Sequence, residues 1–365
     1  MFDATRVVRA GLPEPRQGEP FLPGPVLAAP YHLSGDPAGV PFTYGRFQNP
    51  TWSRFEDALG ELEGGRAVAF ASGMAAVTAV FGTTLRPGDV VVLPSDAYYT
   101  VRRLAQDYFG AMGVTVRLAP TAGSAQAALL EGARLLWLET PSNPLLDVCD
   151  VTSLAAAAHA AGALVAVDNT TATPLGQQPL ALGADLSVAS DTKALTGHGD
   201  LLMGHVATRD EALADRLHTW RTQTGAVPGP FETWLAHRSL ATLDVRLERQ
   251  CRNARAIADL LAARSDVTAV RYPGRPQDPA HEIAARQMRR HGTVVSFVLA
   301  DRARAERFLG ACRLVTESTS FGSMHTTAER RARWGGDAVP EGFIRLSAGG
   351  EDERDLLADL EQALG

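Results

Sequence analysis

The chain has 365 residues, 45% of them hydrophobic and 21% charged, with a formal net charge of −6 at pH 7. This composition is typical of a globular protein with two or three structural units. The acidic balance argues against a nucleic-acid partner, and no apolar run approaches the ~18 residues of a membrane-spanning segment. Cys149, Cys251 and Cys312 are too widely spaced for a disulfide framework or a metal site, so we expect a cytoplasmic protein without a bound metal.

The N-terminal segment, residues 1–45, is rich in proline and glycine, and we predict an extended arm rather than a domain. It nevertheless carries apolar side chains such as Phe21, Tyr31 and Phe42. Apolar side chains in a disordered tail would stay exposed to water, so we expect the arm to lie on another subunit.

A turn and two helix starts follow the arm. Asn-Pro at positions 49 and 50 signals a turn, and Thr51 or Ser53 can cap a helix predicted from Trp52 to Leu62. Farther on, a buried run breaks at Ser72-Gly73, where small residues allow close approach of the backbone. The free amides of the following helix would form an anion site, although small residues also serve ordinary helix packing.

From residue 90 onward, continuous apolar strands alternate with helical patterns. This alternation predicts a mostly parallel sheet covered on both faces, with ligands bound at the carboxyl ends of the strands. The predicted strands are Val90–Pro94, Val114–Leu118, Leu135–Glu139, Leu164–Asp168 and Leu186–Ser190, and the predicted helices are Val101–Met112, Ser124–Glu131 and Ser153–Ala161.

After about Gly225 the pattern changes to that of a smaller α/β unit, for which we expect an antiparallel sheet. The predicted domains are therefore the arm 1–45, a sheet domain 46–225 and a C-terminal domain 226–365. The predicted elements of the last domain are helices at Phe231–Arg264 (broken near Ser239–Thr242), Ala280–Arg290, Arg302–Leu309 and Glu351–Leu364, and strands at Val267–Tyr272, Val294–Leu299, Leu314–Glu317 and Ile344–Ser347.

Lys193 is the only lysine among 35 lysines and arginines. An amine can lose its proton and form a Schiff base with a carbonyl, whereas a guanidinium stays protonated. Lys193 follows a predicted strand end, and the hydroxyls of Ser190 and Thr192 beside it suit an anionic group. A lysine next to a phosphate-binding loop predicts pyridoxal phosphate, held through its aldehyde, and the alternative is a lysine left by biased codon usage.

Six motifs in order resemble those of the Cys/Met-metabolism family of pyridoxal-phosphate enzymes, the cystathionine γ-lyase and γ-synthase group. The resemblance covers nearly the whole chain. It implies the fold-type I α/β architecture of pyridoxal-phosphate-dependent transferases, with a large mostly parallel sheet domain and a smaller C-terminal domain. It also implies a homotetramer, a dimer of dimers with active sites shared across the dimer. The motifs are Tyr-x-Arg-x-x-Asn-Pro-Thr, Ser-Gly-Met-Ala-Ala, Glu-Thr-Pro-Ser-Asn-Pro, Val-Asp-Asn-Thr, Ser-x-Thr-Lys and Arg-Leu-Ser.

The resemblance assigns roles around the cofactor ring. Lys193 resembles the Schiff-base lysine and proton shuttle, and Asp168 resembles the carboxylate that pairs with the pyridine nitrogen. Tyr98 resembles the tyrosine that stacks on the ring and assists proton transfer. Asn143 matches an asparagine beside the ring hydroxyl and the substrate, and Glu139 matches a supporting carboxylate.

The resemblance also implies a phosphate site built by two subunits. Arginine suits that site because its planar donors bind phosphate in pairs. The expected ligands are the amides of Gly73 and Met74 and the hydroxyls of Ser190 and Thr192 from one subunit, with Tyr44 and Arg46 from its neighbour.

Substrate recognition is expected near the end of the chain. Arg345 matches the arginine that binds the substrate α-carboxylate, and Ser320 matches its helper. Thr319 stands where cystathionine-active members usually carry a glutamate. Glu317 lies two residues earlier, so we expect it on the same strand face, meeting the distal ammonium of the substrate instead.

The resemblance implies an amino-acid substrate and a lyase that cleaves the γ C–S bond of cystathionine to give cysteine, 2-oxobutanoate and ammonia. Tyr98, or Tyr44 of the neighbouring subunit, is a candidate acid for the leaving sulfur. Cystathionine γ-synthase, methionine γ-lyase, cystathionine β-lyase and O-acylhomoserine sulfhydrylase share the same cofactor residues and stay open. A non-catalytic regulatory protein that binds the cofactor and a plain aminotransferase are more remote alternatives.

Overall fold

The computed structural model of the protein describes residues 1–365 and contains two β-sheets surrounded by helices. The helices are α1 (Asp3–Arg9), α2 (Pro50–Glu63), α3 (Gly73–Thr84), α4 (Tyr99–Arg103, continued by a π-helical turn Leu104–Phe109), α5 (Val151–Ala160), α6 (Thr173–Gly176), α7 (Glu211–Thr224), α8 (Pro230–Leu240), α9 (Leu243–Ala262), α10 (His281–Gln287), α11 (Arg302–Ala311) and α12 (Glu353–Leu364). The strands are β1 (Arg66–Phe70), β2 (Val90–Pro94), β3 (Thr115–Ala119), β4 (Ala133–Glu139), β5 (Leu164–Asp168), β6 (Leu186–Ala189), β7 (Gly204–Thr208), β8 (Thr268–Arg271), β9 (Val294–Val298), β10 (Thr316–Glu317), β11 (Thr327–Arg330) and β12 (Phe343–Ser347).

The larger sheet has seven strands in the order β1-β7-β6-β5-β4-β2-β3, and only β7 runs against its neighbours. Both faces are buried, which explains the continuous apolar strands. In β4, Leu135 and Trp137 pack into the core on one face, while Leu136 and Leu138 pack into the core on the other. The predicted mostly parallel sheet is confirmed.

The smaller sheet has five strands in the order β10-β11-β12-β9-β8. All of its pairs are antiparallel except β10 with β11. Phe297 of β9 packs with Ile257 of α9 and Leu360 of α12 in one buried core. The smaller α/β unit predicted for the second half of the chain is therefore present.

The domain boundary predicted near residue 225 stays a prediction. Ala236 of α8 and Leu247 of α9 belong to the same buried cluster as Phe55 and Leu59 of α2. The first residues after that boundary therefore pack on the larger sheet unit. No helix is both long enough and apolar enough to cross a membrane.

Two local predictions were wrong. The predicted helix Ser124–Glu131 is a single 3-10 turn at Ala127–Leu129, because Gly123 and Gly132 at positive φ confine it to a short connection. The helix α2 is capped by Asn49, whose side chain accepts a hydrogen bond from the Thr51 amide at 2.8 Å. Pro50 then occupies the first helical position, where its missing N–H costs nothing.

The topology brings the functional strand ends together. Glu139 and Asp168 are the last residues of β4 and β5 and lie opposite each other in the register. Lys193 follows β6, the next strand in the sheet, within a few residues. The polar residues singled out from three separate stretches of sequence therefore meet at one edge of the sheet.

Candidate active site

A cavity of about 410 Å³ lies at the carboxyl edge of the large sheet, between the two sheet units. Its lining residues include Lys193, Asp168, Asn143, Tyr98 and Arg345. The structure therefore brings together residues from both halves of the chain that the sequence marked as functional.

The amine of Lys193 is held at the centre of this cavity. Its Nζ donates a hydrogen bond to Ser320 Oγ at 2.7 Å and lies 5.4 Å from the centroid of the Phe321 ring. Burial, and then the charge of Arg345, lower the pKa of Lys193 to about 8, while Glu329 acts in the opposite direction. With such a pKa, roughly a tenth of the amine is neutral at pH 7, and the neutral form is the nucleophile.

Glu139 and Asp168 line the same cavity, and no cation is paired with either carboxylate. Burial raises the pKa of Asp168, and burial together with the charge of Asp168 raises the pKa of Glu139 well above its ordinary value. Asp168 Oδ1 accepts a hydrogen bond from the Thr170 amide at 3.0 Å, and the Thr170 side chain also favours the ionised carboxylate, but no cation is paired with it. A protonated ring nitrogen would give this carboxylate the partner that it lacks.

Glu139 has a positioning role instead. Its two carboxylate oxygens accept hydrogen bonds from the backbone amides of Tyr98, at 2.7 Å, and Asn143, at 3.0 Å. Glu139 therefore fixes both loops that carry the side chains predicted to face the cofactor ring.

The start of α3 forms an anion site beside the cavity. The Ser72 side chain accepts a hydrogen bond from the Ala75 amide at 3.1 Å, so the amides of Gly73 and Met74 have no partner inside the helix. A Cβ placed on Gly73 would lie 2.6 Å from Ser190 Cβ, so only glycine fits here. The Ser190 hydroxyl has no hydrogen-bond partner in the protein, and it faces this cradle.

The hydroxyl of Thr192 is already engaged. It donates to the Met203 carbonyl at 3.2 Å and accepts from the Met203 amide at 3.0 Å. Its predicted contact with a phosphate therefore stays a prediction. To donate to a phosphate, the Thr192 hydroxyl would have to give up its hydrogen bond to the Met203 carbonyl.

Arg345 forms hydrogen bonds with two of the residues predicted to bind the substrate, Asn143 and Ser320. Its Nη1 donates to Asn143 Oδ1 at 3.0 Å and its Nη2 donates to the Ser320 carbonyl at 2.6 Å. Its guanidinium lies 5.3 Å from the Phe321 ring centroid, and burial lowers its pKa to about 10. The amine of Lys193 and this guanidinium thus lie against the same aromatic ring.

Sequence reasoning missed the carboxylate that holds Arg345. Glu329 is fully buried and forms an ion pair with Arg345, and it also accepts hydrogen bonds from Arg331 at 2.9 Å and from the Trp334 indole at 2.8 Å. Arg331 and Trp334 line the cavity. The unusual arginine-rich segment after Gly322 was the available signal, but the sequence alone does not show which of its charged side chains are buried.

The structure does not bring Glu317 to the cavity, so its predicted position is corrected. Its carboxylate pairs with Arg333 at 2.6 Å, and only Thr319 of the two residues lines the cavity. The period-two argument failed because β10 ends at Glu317, and Ser320 then adopts a φ of 75°.

Tyr44 and Arg46 do not line the cavity of their own chain. Arg46 donates to the Thr222 carbonyl at 2.8 Å, and its guanidinium lies 5.0 Å from the Phe47 ring centroid. Tyr44 is 43% exposed. This arrangement leaves both side chains on the outer surface of the subunit.

Together these residues fit one cofactor type. The only lysine suits an aldehyde, the cradle at Gly73 suits a phosphate, and the Asp168 carboxylate, which has no cationic partner, suits a basic ring nitrogen. Pyridoxal phosphate carries all three groups.

Comparison with known proteins agrees with this fit. Residues 26–365 match a family model described as Cys/Met metabolism PLP-dependent enzyme. A Streptomyces coelicolor protein provisionally named a cystathionine gamma-lyase is 60% identical over 99% of this chain and 93% of its own length. Cystathionine gamma-synthase of Mycobacterium tuberculosis H37Rv is 42% identical over 99% of this chain and 96% of its own length. The crystal structure of apo CalE6, a methionine gamma lyase from Micromonospora echinospora, has a TM-score of 0.94 at 39% identity, covering 100% of this chain and 99% of that one.

The geometry predicts that pyridoxal phosphate attaches at Lys193 alone. After borohydride reduction, peptide mass mapping should find one modified lysine and no modified N-terminal amine. Lys193→Arg keeps the charge but cannot form the bond, so it should lose covalent capture and nearly all activity while melting at a similar temperature. Normal turnover by Lys193→Arg would contradict the assignment of this site.

Proposed function

The chain belongs to the Cys/Met metabolism PLP-dependent enzyme family, and we propose that within this family it is a cystathionine γ-lyase. The reaction converts cystathionine to cysteine, 2-oxobutanoate and ammonia. The proposal is supported by the 60% identity to the Streptomyces coelicolor protein and, for an amino-acid substrate, by the shared Phe321 ring, against which Lys193 lies at 5.4 Å and Arg345 at 5.3 Å. An amino acid whose carboxylate binds Arg345 has its α-carbon within reach of the Lys193 amine.

The α-carboxylate end of the substrate is held by residues that already surround Arg345. Its guanidinium donates to the α-carboxylate, and Asn143 and Ser320 fix the orientation of that guanidinium. Because Glu329 also pairs with Arg345, the carboxylate meets a guanidinium that is partly neutralised, which favours exchange of substrate and product.

Proton transfer is assigned to Lys193. Pyridoxal phosphate, when bound, accepts the electron pair that remains on the α-carbon after deprotonation. Asp168 would hold a proton on the ring nitrogen, which would favour this. A pKa of about 8 lets the Lys193 amine both take and return protons near neutral pH, as removal of the α and then a β proton requires.

The leaving sulfur needs a proton donor. Tyr98 lines the cavity, and its backbone is fixed by Glu139 at 2.7 Å. We assign Tyr98 this role, with Tyr44 of a neighbouring subunit as the second candidate.

The distal end of cystathionine is expected to meet Trp334 and Arg331 rather than Glu317. Both residues line the cavity, and Glu329 holds them in place. An indole ring offers a broad apolar surface to the substrate chain, and the Arg331 guanidinium, which also pairs with Asp337 at 2.5 Å, can meet its second carboxylate.

The family supports closely related alternatives. Cystathionine γ-synthase, methionine γ-lyase, cystathionine β-lyase and O-acylhomoserine sulfhydrylase use the same cofactor residues, and the names of the similar proteins include the first two. The identity to the Streptomyces coelicolor protein favours the γ-lyase. A non-catalytic role stays the remote alternative.

We also propose a shared active site in a homotetramer built from dimers, in the cytoplasm. The apolar arm residues Phe21 and Leu27 are largely exposed in the single chain, at 89% and 75%. A neighbouring subunit that covers them would receive Tyr44 and Arg46 at its own phosphate site.

The reaction is tested by incubating the purified holoenzyme with cystathionine. We expect equal amounts of cysteine and 2-oxobutanoate. Pyruvate with homocysteine would instead identify a β-lyase. An inert cystathionine together with turnover of an O-acylhomoserine plus cysteine would identify a synthase, and methanethiol from methionine as the preferred reaction would identify a methionine γ-lyase.

Distal recognition is tested with a pair of variants. Trp334→Ala should raise KM for cystathionine more than KM for homocysteine, which lacks the distal head. Glu317→Gln is the matched control and should change both values by less than about twofold, because its exposed ion pair contributes little. A selective loss of cystathionine binding in Glu317→Gln alone would overturn this account.

The shared site is tested by subunit complementation. Arg46→Ala and Lys193→Ala should each be nearly inactive, but a hybrid dimer would contain one intact site. After equal mixing and proven subunit exchange, activity should reach about a quarter of the wild-type value. If exchange occurs without recovery of activity, Arg46 does not serve the neighbouring site.

A further inference from the structure

A buried acid-histidine-acid cluster lies behind the turn that carries Lys193. His205 Nδ1 is 2.6 Å from Asp191 Oδ1, and His205 Nε2 is 3.2 Å from Glu63 Oε1. All three side chains are fully excluded from solvent. No step of the proposed reaction uses them.

The contacts favour a charged histidine. Each ring nitrogen faces a carboxylate oxygen, and an ionised carboxylate can only accept, so both ring nitrogens carry protons when Asp191 and Glu63 are ionised. Burial raises the pKa of Asp191, and the charge of His205 acts in the opposite direction. Burial alone would lower the pKa of His205, but the charges and hydrogen bonds of Asp191 and Glu63 outweigh burial and raise it to about 10.

The cluster joins three elements of the larger unit. Glu63 is the last residue of α2, and His205 lies within β7, paired with Ala69 of β1 and Ala189 of β6. Asp191 belongs to the turn that follows β6. Its carbonyl accepts hydrogen bonds from the Thr196 amide at 3.1 Å and from the Thr196 hydroxyl at 2.7 Å, so Asp191 also anchors the far end of that turn.

The same turn carries the residues that face the cofactor. Ser190 and Thr192 flank Asp191, and Lys193 follows. Two residues, one just before β7 and one within it, hold this turn. The Met203 backbone forms hydrogen bonds with the Thr192 hydroxyl, and the His205 side chain contacts Asp191. The contact between His205 and Asp191 is charged. It depends on the two side chains, whereas the contact of Thr192 with Met203 uses the Met203 backbone.

The cluster contains more negative than positive charge. Asp191 Oδ2 and Glu63 Oε2 are buried without any hydrogen-bond donor. A neutral residue at position 205 would leave two buried carboxylates with no cation, so one must take up a proton or move. A displacement of Asp191 would carry the cofactor-binding turn with it.

We propose that His205 is a positioning residue for pyridoxal phosphate: its imidazolium holds Asp191 and thereby orients Ser190, Thr192 and Lys193. This inference rests on the cofactor and is independent of which sulfur amino acid is cleaved. It predicts that the histidine acts on the affinity for the cofactor before any substrate is present.

The test uses full-length apoprotein titrated with pyridoxal phosphate. His205→Gln should weaken cofactor affinity by roughly tenfold or more, as expected when a hydrogen bond to a charged group is lost. Amide hydrogen exchange should accelerate in residues 190–197. Asp191→Asn should act in the same direction, and it serves as the second variant if His205→Gln folds poorly.

Glu63→Gln is the matched control. It changes the other carboxylate of the same buried cluster but lies off the turn, and Asp191 still retains the imidazolium. It should lower the melting temperature while leaving cofactor affinity within about twofold, because the ion pair between His205 and Asp191 that holds the turn is kept.

The double variant Asp191→Asn with His205→Gln restores a neutral hydrogen-bonded pair and should recover part of the affinity. Wild-type affinity and wild-type exchange in both single variants would overturn the proposal. Equal loss of affinity in His205→Gln and Glu63→Gln would also overturn it, because the cluster would then stabilise the fold as a whole.

Discussion

The active site depends on keeping the half-buried amine of Lys193 titratable near neutral pH. Burial and the nearby guanidinium of Arg345 destabilise the charged form of Lys193, and Glu329 offsets part of that effect. The carboxylate of an arriving substrate would neutralise Arg345. The pKa of Lys193 would then rise, which makes the amine a stronger base at the moment when a proton must be removed.

The same constraint explains the surrounding architecture. A half-buried amine with a lowered pKa needs a rigid support, because small movements toward solvent would restore its ordinary pKa. The turn that carries Lys193 is held from below by Asp191 and by Arg246, which donates to the carbonyls of Ala194 and Leu195 at 2.8 Å each. The smaller sheet unit supplies Ser320 and Arg345 from the opposite side, so the cavity exists only when both units are packed together.

The part of the site that follows local patterns could be predicted from the sequence. Asp168 and Lys193 follow apolar strands, and strand ends converge in a parallel sheet whatever the details of the loops. Strands β2 and β5 have the predicted bounds. The predicted position of Glu317 was wrong because its strand is only two residues long. Positive φ at Ser320 and Gly322 then redirects the chain. Strand β7 and helix α7 were not predicted, since β7 follows a glycine-rich loop and α7 has a weak apolar stripe.

Long-range charge partners could not be read from the sequence. Glu63 and His205 are 142 residues apart, and Glu329 meets Arg345 across a strand pair of the smaller sheet. Each of these residues alone resembles a surface charge or a lone histidine. Only the packed sheets show that they are buried and that each is matched by an opposite charge.

The central claim is that the only lysine of the chain is a half-buried amine of lowered pKa, and this pKa can be measured without signals from other lysines. Protein labelled with [¹⁵N]- or [¹³C]lysine should show a single lysine side-chain resonance, because Lys193 is the only lysine. Titration of that resonance in the apoprotein should give a midpoint near the pKa of about 8, and the resonance should shift on addition of pyridoxal phosphate. A midpoint near the ordinary value of 10.5, with no response to the cofactor, would contradict the account.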